Sequence, residues 1–256
     1  MTKSALKKAI KKGCLKVNGQ IASTATWVKT GDELEFTRVF TNTSAKQFEF
    51  SLHVLFEDEH IAAIHKPSGI LVSGNNFRTI ARALPFNLAK SKERDACIPQ
   101  PVHRLDFNTT GILLIGKTQK SIRLLNKAFE EKKISKKYLA ITIGKMQSEG
   151  LVEPPIDGKF ARTSFKVIDT VASEKYNVLN WVELKPLTGR RHQLRKHMSQ
   201  IGNPILGDKD YGKEGLIASS NGMYLHAQEL VFNHPITNAL IQLSDPAPKK
   251  FTKIFR

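Results

Sequence analysis

Apolar and polar positions change period several times along the chain, and each change marks an element. From Ser4 to Lys12, Ala5, Leu6, Ala9 and Ile10 share one helical face while lysines fill the rest, predicting a short helix ended by Gly13. Leu15-Lys16-Val17 then alternates into the hairpin dipeptide Asn18-Gly19, and Val28 to Phe36 alternates again through Gly31-Asp32. Thr41 to Gln47 is polar and reads as a linker, with a new domain starting near Phe48. Val54-Leu55-Phe56 and Ile61 to Lys66 read as strands around an acidic turn, closed by Pro67, which cannot continue a central ladder. Gly111 to Ile115 is too short and too apolar for a surface helix and reads as a buried strand. Lys120 to Glu131 reads as an amphipathic helix with Ile122, Leu125, Ala128 and Phe129 inward, and Lys136 to Ile143 as the strand leaving it. Val182 to Leu184 alternates, Gln193 to Met198 has helical spacing, and Leu230 to Leu243 reads as a closing hairpin around His234-Pro235.

Strands dominate with a few helices between them, an order that fits an α+β domain with an extended mixed, mainly antiparallel sheet better than regular βαβ alternation. The expected division is a small helix-and-sheet module over residues 1–45 and a main domain over residues 46–256. At 40% hydrophobic content the chain can bury a core without staples, and Cys14 and Cys97 read as free thiols.

Charge narrows the partner. The formal net charge is +17, from 40 Lys+Arg against 23 Asp+Glu, which points to a polyanion. The first twenty residues hold six lysines and no acid, with Lys7, Lys8, Lys11 and Lys12 on the predicted helix. No 18-residue apolar run, no large amphipathic aromatic face and no secretory leader pattern is visible, so a cytoplasmic protein without a membrane partner is expected.

The chemistry concentrates at His103-Arg104-Leu105-Asp106, held just before the turn Asn108-Thr109-Thr110-Gly111. A carboxylate beside a cation favours its charged form and can serve as nucleophile or base; the other reading of Asp106 is a salt-bridged loop residue. His192 and His197 are five apart with no acidic third ligand nearby, so no metal is expected. The cationic runs Lys185 to Lys196 and Lys117 to Lys137 read as a track for a nucleic acid.

His103-Arg104-Leu105-Asp106, Lys137-Tyr138-Leu139, Thr188-Gly189-Arg190-Arg191-His192-Gln193-Leu194-Arg195 and Asn203-Pro204-Ile205-Leu206-Gly207-Asp208 together resemble the RluA-type pseudouridine synthase family. His65-Lys66-Pro67-Ser68-Gly69 and Leu225-His226-Ala227 extend the match over residues 50 to 251, while Ile70 to Pro101 fits the family poorly. AIKKGCLKVNGQ and VKTGDELEF resemble an S4 RNA-binding module, truncated because its first helix has no counterpart. The resemblance implies the pseudouridine synthase fold and isomerisation of a uridine in ribosomal or transfer RNA, by a monomer that uses neither cofactor nor metal. It makes Asp106 the catalytic aspartate, Tyr138 the residue stacked on the flipped base, and Arg190 the partner of the carboxylate. Arg104 would enter the stack vacated by the base, Arg191 would contact phosphate, and Leu206 would pack at the pocket floor. His103 is carried with these RNA-side residues as a hydrogen-bonding neighbour. A catalytically inactive RNA-binding protein and a base-releasing glycosidase are the rivals. Intact Asp106, Tyr138 and Arg190 argue against the first, and the lack of a paired acid argues against the second.

Overall fold

The computed structural model describes residues 3–37, 48–216 and 222–255. The chain divides into two units, Met1–Lys46 and Gln47–Arg256. The predicted linker from Thr41 to Gln47 lies outside the described residues.

In the first unit, helix α1 (Lys3–Lys11) precedes strands β1 (Leu15–Val17), β2 (Gln20–Ile21) and β3 (Leu34–Phe36), which pair antiparallel in the order β2-β1-β3. Asn18 and Gly19 take positive φ of 50° and 76°, the combination that matches strand twist in a two-residue hairpin. Asn18 Oδ1 also accepts from the Glu33 N–H at 2.9 Å, tying the hairpin to the entry of β3. The alternation expected from Val28 yields a shorter strand. Lys29 to Asp32 forms a turn in which Asp32 Oδ2 accepts from the Lys29 N–H at 2.7 Å, so pairing starts only at Leu34.

The second unit runs β4 (His53–Glu57), β5 (Ile61–Lys66), α2 (Ile80–Asn87), β6 (Ala96–Pro101), β7 (Thr110–Thr118), α3 (Gln119–Glu130) and β8 (Ser135–Ile143). It continues with β9 (Glu149–Val152), β10 (Thr163–Ser173), β11 (Asn177–Pro186), α4 (Gln193–Gln200), β12 (Leu225–Asn233), β13 (Leu240–Ser244) and α5 (Lys249–Thr252). These strands form one ten-stranded sheet in the order β4-β5-β7-β12-β8-β11-β10-β9, with β6 on β7 and β13 on β12. Every pairing is antiparallel except β7 with β12. The fold is therefore α+β around a mixed, mainly antiparallel sheet.

Period-two alternation divides the core between the sheet faces. On one face Ala62, Ile64, Leu113 and Ile115 pack with Ile80 and Leu84 of α2, and Ala140, Val182 and Leu184 pack with Leu194 and Met198 of α4. On the other, Ile61, Ala63, Ile112 and Leu114 pack with Leu125 of α3, and Leu139 and Ile141 with Phe251 of α5. All nine residues of β7 are buried, which explains its unbroken apolar run. Helix α3 starts at Thr118, whose hydroxyl accepts from the Ser121 N–H at 3.1 Å while Ser121 Oγ accepts from the Thr118 N–H at 3.2 Å.

The register aligns a single rung across the sheet: Lys66, Gly111, Ala227, Tyr138, Leu184, Phe165 and Gly150 sit side by side on successive strands. Gly111 is indispensable to that rung. It has φ of 111°, and a Cβ there would fall 2.2 Å from Ala227 O and 2.6 Å from Ala227 N. Gly111→Ala should therefore cost about 3 kcal/mol or more, since it combines a strained φ with a backbone clash at a buried strand pair. Urea unfolding of the variant checks this, and a midpoint equal to wild type would show that β7 and β12 can separate without penalty.

Candidate active site

The rung places the turn that starts β7 two strands from Tyr138, and Tyr138 packs against both clusters of its face, the α2 side and the α4 side. Between them lies a cavity of about 570 Å³, lined by residues of the 102–109 loop, the end of α3, β8 and the 186–195 segment. Asp106, Tyr138 and Arg195 all face it.

The Asp106 loop is fastened from below. The buried Lys66 Nζ donates to the carbonyls of Pro67 (2.9 Å), Phe107 (3.1 Å) and Thr109 (2.9 Å). The Gly69 N–H donates to Phe107 O at 2.9 Å, the Ser68 hydroxyl to Asn108 O at 3.2 Å, and the Thr109 N–H to Asp106 O at 3.1 Å. Leu105 plugs the core on the α2 side. Burial lowers the Lys66 ammonium to about 8, with the Asp106 charge pulling it back up, so at neutral pH the lysine remains a cation beneath the carboxylate. The Thr109 hydroxyl is buried, lines the cavity and has no partner among the described residues.

The carboxylate itself faces α4. Arg195 Nη1 lies 3.5 Å from Asp106 Oδ2, and His192 Nε2 lies 3.7 Å from Asp106 Oδ1. Arg195 is locked in place: Nε donates to Asp208 Oδ2 at 2.7 Å, Nη2 to Asp208 Oδ1 at 2.6 Å and to Asp210 Oδ2 at 2.7 Å, and its guanidinium lies 4.9 Å from the Tyr211 ring centroid. Burial opposes the charge of Arg195, but the hydrogen bonds it donates to Asp208 and Asp210 outweigh it and hold its pKa above the ordinary value. His192 has a left-handed φ of 55° at the start of α4 and shares a 2.9 Å hydrogen bond between Nδ1 and the Tyr211 hydroxyl. Burial pushes its pKa down against the pull of Asp106, which leaves a neutral imidazole at physiological pH. Gln193 holds this segment together. Its Oε1 accepts from the Thr188 hydroxyl (2.7 Å) and the Arg190 N–H (2.9 Å), and its Nε2 donates to Arg162 O (2.9 Å) and Thr163 Oγ1 (3.0 Å).

Burial, and then the Asp106 charge, raises the pKa of the Tyr138 hydroxyl, so the ring stands at the cavity wall as a neutral phenol. Arg104 and Arg191 are exposed at the same cavity, and Arg104 makes no ion pair among the described residues. Lys7, Lys8 and Lys11 lie exposed on α1 and Lys12 just after it, in the other unit.

Three expectations require correction. Arg190 lines the cavity, but its Nε donates to Phe160 O at 2.9 Å, and the guanidinium beside Asp106 belongs to Arg195. The segment before α4 runs along the cavity rim, whereas Arg195, one turn into the helix, points under it. Leu206 does not reach the cavity. It is buried with Leu139 and Ile141, on the face of β8 opposite Tyr138, and the leucines at the cavity are Leu105, Leu194 and Leu225. His103 lines the cavity, but its ring is engaged within the fold. Its Nε2 accepts from the Leu114 N–H at 2.9 Å, its ring stacks on Phe129 at 4.8 Å, and burial lowers its pKa to about 3, with the nearby Lys136 charge adding to the effect.

Sequence reasoning missed Arg195, Asp208, His192 and Lys66 as members of the site, although all four lie inside the motifs quoted above. A signal for Arg195 was present: the helical stretch 193–198 places it among apolar positions, where an arginine needs buried partners.

A carboxylate oriented by an arginine, facing a buried neutral tyrosine across a nucleotide-sized space rimmed by cations, belongs to the chemistry of enzymes that act on a base in RNA. The chain matches the RNA pseudouridylate synthase family over residues 60–200, more than half its length, and belongs to it. Within that family it is of the RluA type, an isomerase of RNA uridine. "Ribosomal large subunit pseudouridine synthase C" of Rickettsia bellii is 32% identical over 99% of this chain and 92% of its own length. "Dual-specificity RNA pseudouridine synthase RluA" of Salmonella typhimurium is 32% identical over 77% of this chain and 93% of its own. The solved structure of "Human RNA Pseudouridylate Synthase Domain Containing 4" shares 26% identity with a TM-score of 0.64, covering 78% of this chain and 90% of that one.

Arg195→Met, which keeps the stem and removes the charge, should lower the single-turnover rate about 100-fold, whereas Arg190→Ala should stay within about tenfold of wild type. Rapid-quench assays compare the two, and the opposite ranking would return the partnership to Arg190.

Proposed function

We propose that this pseudouridine synthase modifies large-subunit ribosomal RNA, with Asp106 as its nucleophile. The observation that carries the chemistry is the carboxylate of Asp106 at the cavity, on a loop whose carbonyls Lys66 binds and with Arg195 beside it. The target is supported by the relative from Rickettsia bellii, whose name specifies the ribosomal large subunit and which aligns with nearly the whole chain.

The reaction breaks the N1–C1′ bond of uridine, turns the freed base and joins C5 to C1′; C5 loses a proton and N1 gains one, so no atom is added or lost. A fixed carboxylate can attack the sugar as the base departs and leave as C5 returns. The departing base must not diffuse, and Tyr138 provides a flat face and a neutral hydroxyl to hold it while the Thr109 hydroxyl offers a further hydrogen bond. Arg104, exposed and unpaired at the rim, fills the place of the extruded base in the RNA stack, and Arg191 meets phosphate. We read the enzyme as a monomer, every residue named for the site coming from one chain, and as cytoplasmic, in keeping with a ribosomal RNA substrate. No helix among the described residues is long and apolar enough to cross a membrane.

Asp106→Asn should abolish isomerisation while leaving RNA affinity within about threefold, because binding is spread over many cations and chemistry rests on one carboxylate. Single-turnover conversion of an unmodified large-subunit ribosomal RNA transcript, measured beside a binding titration, tests both halves. Turnover by a variant that mass spectrometry shows to retain asparagine would remove Asp106 from the nucleophile's role. Absence of any pseudouridine made by the wild type in that transcript would count against the RNA target.

The first unit we read as an S4-like module that captures RNA. Replacing Lys7, Lys8, Lys11 and Lys12 together by glutamine should flatten the dependence of log affinity on log salt by about three units, at about 0.7 to 0.9 per phosphate contact, with the saturating rate preserved. An unchanged salt slope would exclude α1 from the RNA contact.

A further inference from the structure

A second cavity of about 570 Å³ adjoins the catalytic one and shares Lys132, Lys136 and Pro186 with it. Its walls come from the turn after α3, the end of β11 and the β12–β13 hairpin, and Leu187 and Leu240 supply exposed apolar surface. The lysines around it fall into two groups. Lys133 is held by Glu131 at 2.7 Å, Lys185 by Glu183 at 2.7 Å, and the neighbouring Lys137 by Glu229 at 3.3 Å. Lys132 and Lys136 stand apart, for neither makes an ion pair or a side-chain hydrogen bond among the described residues.

Their location makes this unusual. Lys136 is half-buried and Lys132 exposed, both line the two cavities, and burial first, then the charge of Lys132, lowers the pKa of Lys136. Lys132 also has a left-handed φ of 58°, closing the C-terminal turn of α3 with its N–H donating to Phe129 O at 3.2 Å. Sheltered like charges repel, and a shared anion relieves that repulsion while satisfying both groups. The remaining groups around them do not supply one: His103 is neutral, Glu131 is engaged by Lys133 and Lys127, and Glu130 lies on the catalytic cavity's rim.

We propose that Lys132 and Lys136 together grip a backbone phosphodiester of the substrate RNA next to the flipped uridine, and that the second cavity receives the neighbouring nucleotide of the same strand. This rests on the reading of the catalytic cavity as a uridine site. The strand would pass from Asp106 across Pro186, with its charge met by the lysine pair and the sugar or base laid on Leu187 and Leu240.

The test compares wild type with Lys132→Met/Lys136→Met, which keeps the stems, and with a control pair on exposed lysines elsewhere, Lys145→Met/Lys166→Met. On the unmodified large-subunit ribosomal RNA transcript, the site pair should weaken binding about tenfold at 0.15 M salt, a change of about 1.4 kcal/mol. It should also flatten the salt slope by about 0.7 to 0.9, as for one phosphate, and leave the saturating single-turnover rate within about twofold. Leu240→Glu, which places a negative charge at the proposed nucleotide, should weaken binding by a similar factor with the saturating rate kept. A salt slope equal to wild type or to the control pair would overturn the phosphate site, and so would loss of the saturating rate. Wild-type affinity in Leu240→Glu would overturn the nucleotide's placement. If wild type itself makes no pseudouridine in this transcript, the ribosomal target falls, and the salt slopes measured on total cellular RNA still decide the lysine site by the same criteria.

Discussion

The approach of β7 to β12 at Gly111 and Ala227 is the constraint on which the rest of the structure depends. It is the one parallel pairing in an otherwise antiparallel sheet, it spans only two residue pairs, and the backbones meet too closely to admit a side chain at Gly111. On one side of it, β5 brings Lys66 opposite Gly111; on the other, β8 brings Tyr138 opposite Ala227. A one-residue slip would turn every side chain of a strand to the other face, so this junction fixes the Asp106 turn and the Tyr138 ring relative to one another. The catalytic geometry follows from strand register, with the loop free to present Asp106 only because its carbonyls are bound from beneath.

Electrostatics at the site follow a similar economy. Arg195 is hydrogen-bonded by Asp208 and Asp210 and lies beside Asp106, so one guanidinium meets three carboxylates. The two hydrogen-bonded acids fix its plane, and the face left over addresses Asp106 at a distance longer than a hydrogen bond. A carboxylate so oriented keeps lone pairs available to an incoming sugar, which tight bidentate pairing would have occupied. Lys66 adds positive charge from below while its donors are spent on carbonyls, so it stabilises the loop without occupying the Asp106 carboxylate.

Strong periodicity and the chemistry of short motifs made much of this legible in sequence. The buried run of β7, the amphipathic face of α3, the Asn18-Gly19 hairpin and the turn that holds Asp106 before β7 all have local signatures. What stayed hidden depended on direction and pairing. Arg190 and Arg195 lie five residues apart in one motif, and only the helix that begins between them decides which guanidinium turns inward. Leu206 and Leu194 are equally apolar, and only the alternation of β8 decides that Leu206 packs on the face away from Tyr138. Helix α2 contains Pro85 and β6 carries Pro99 and Pro101, so their proline content masked both elements. Strand β10 was missed because five of its eleven positions are exposed, without regular alternation, around a bulge near Val167.

The distribution of unpaired charge then separates structural cations from those left for substrate. Lys117 and Arg195 are buried and bound to carboxylates, and Lys66 is buried and bound to carbonyls, so their charge is consumed within the fold. Arg104, Lys132 and Lys136 line the catalytic cavity and make no ion pairs among the described residues. In a protein with a formal net charge of +17, self-repulsion at such a rim opposes folding, and its persistence is understandable where a polyanion binds. On the proposed reading an incoming RNA strand supplies the counter-charges that the fold withholds, while the Asp106 carboxylate keeps free lone pairs because its own counter-charge, Arg195, is already held by other acids.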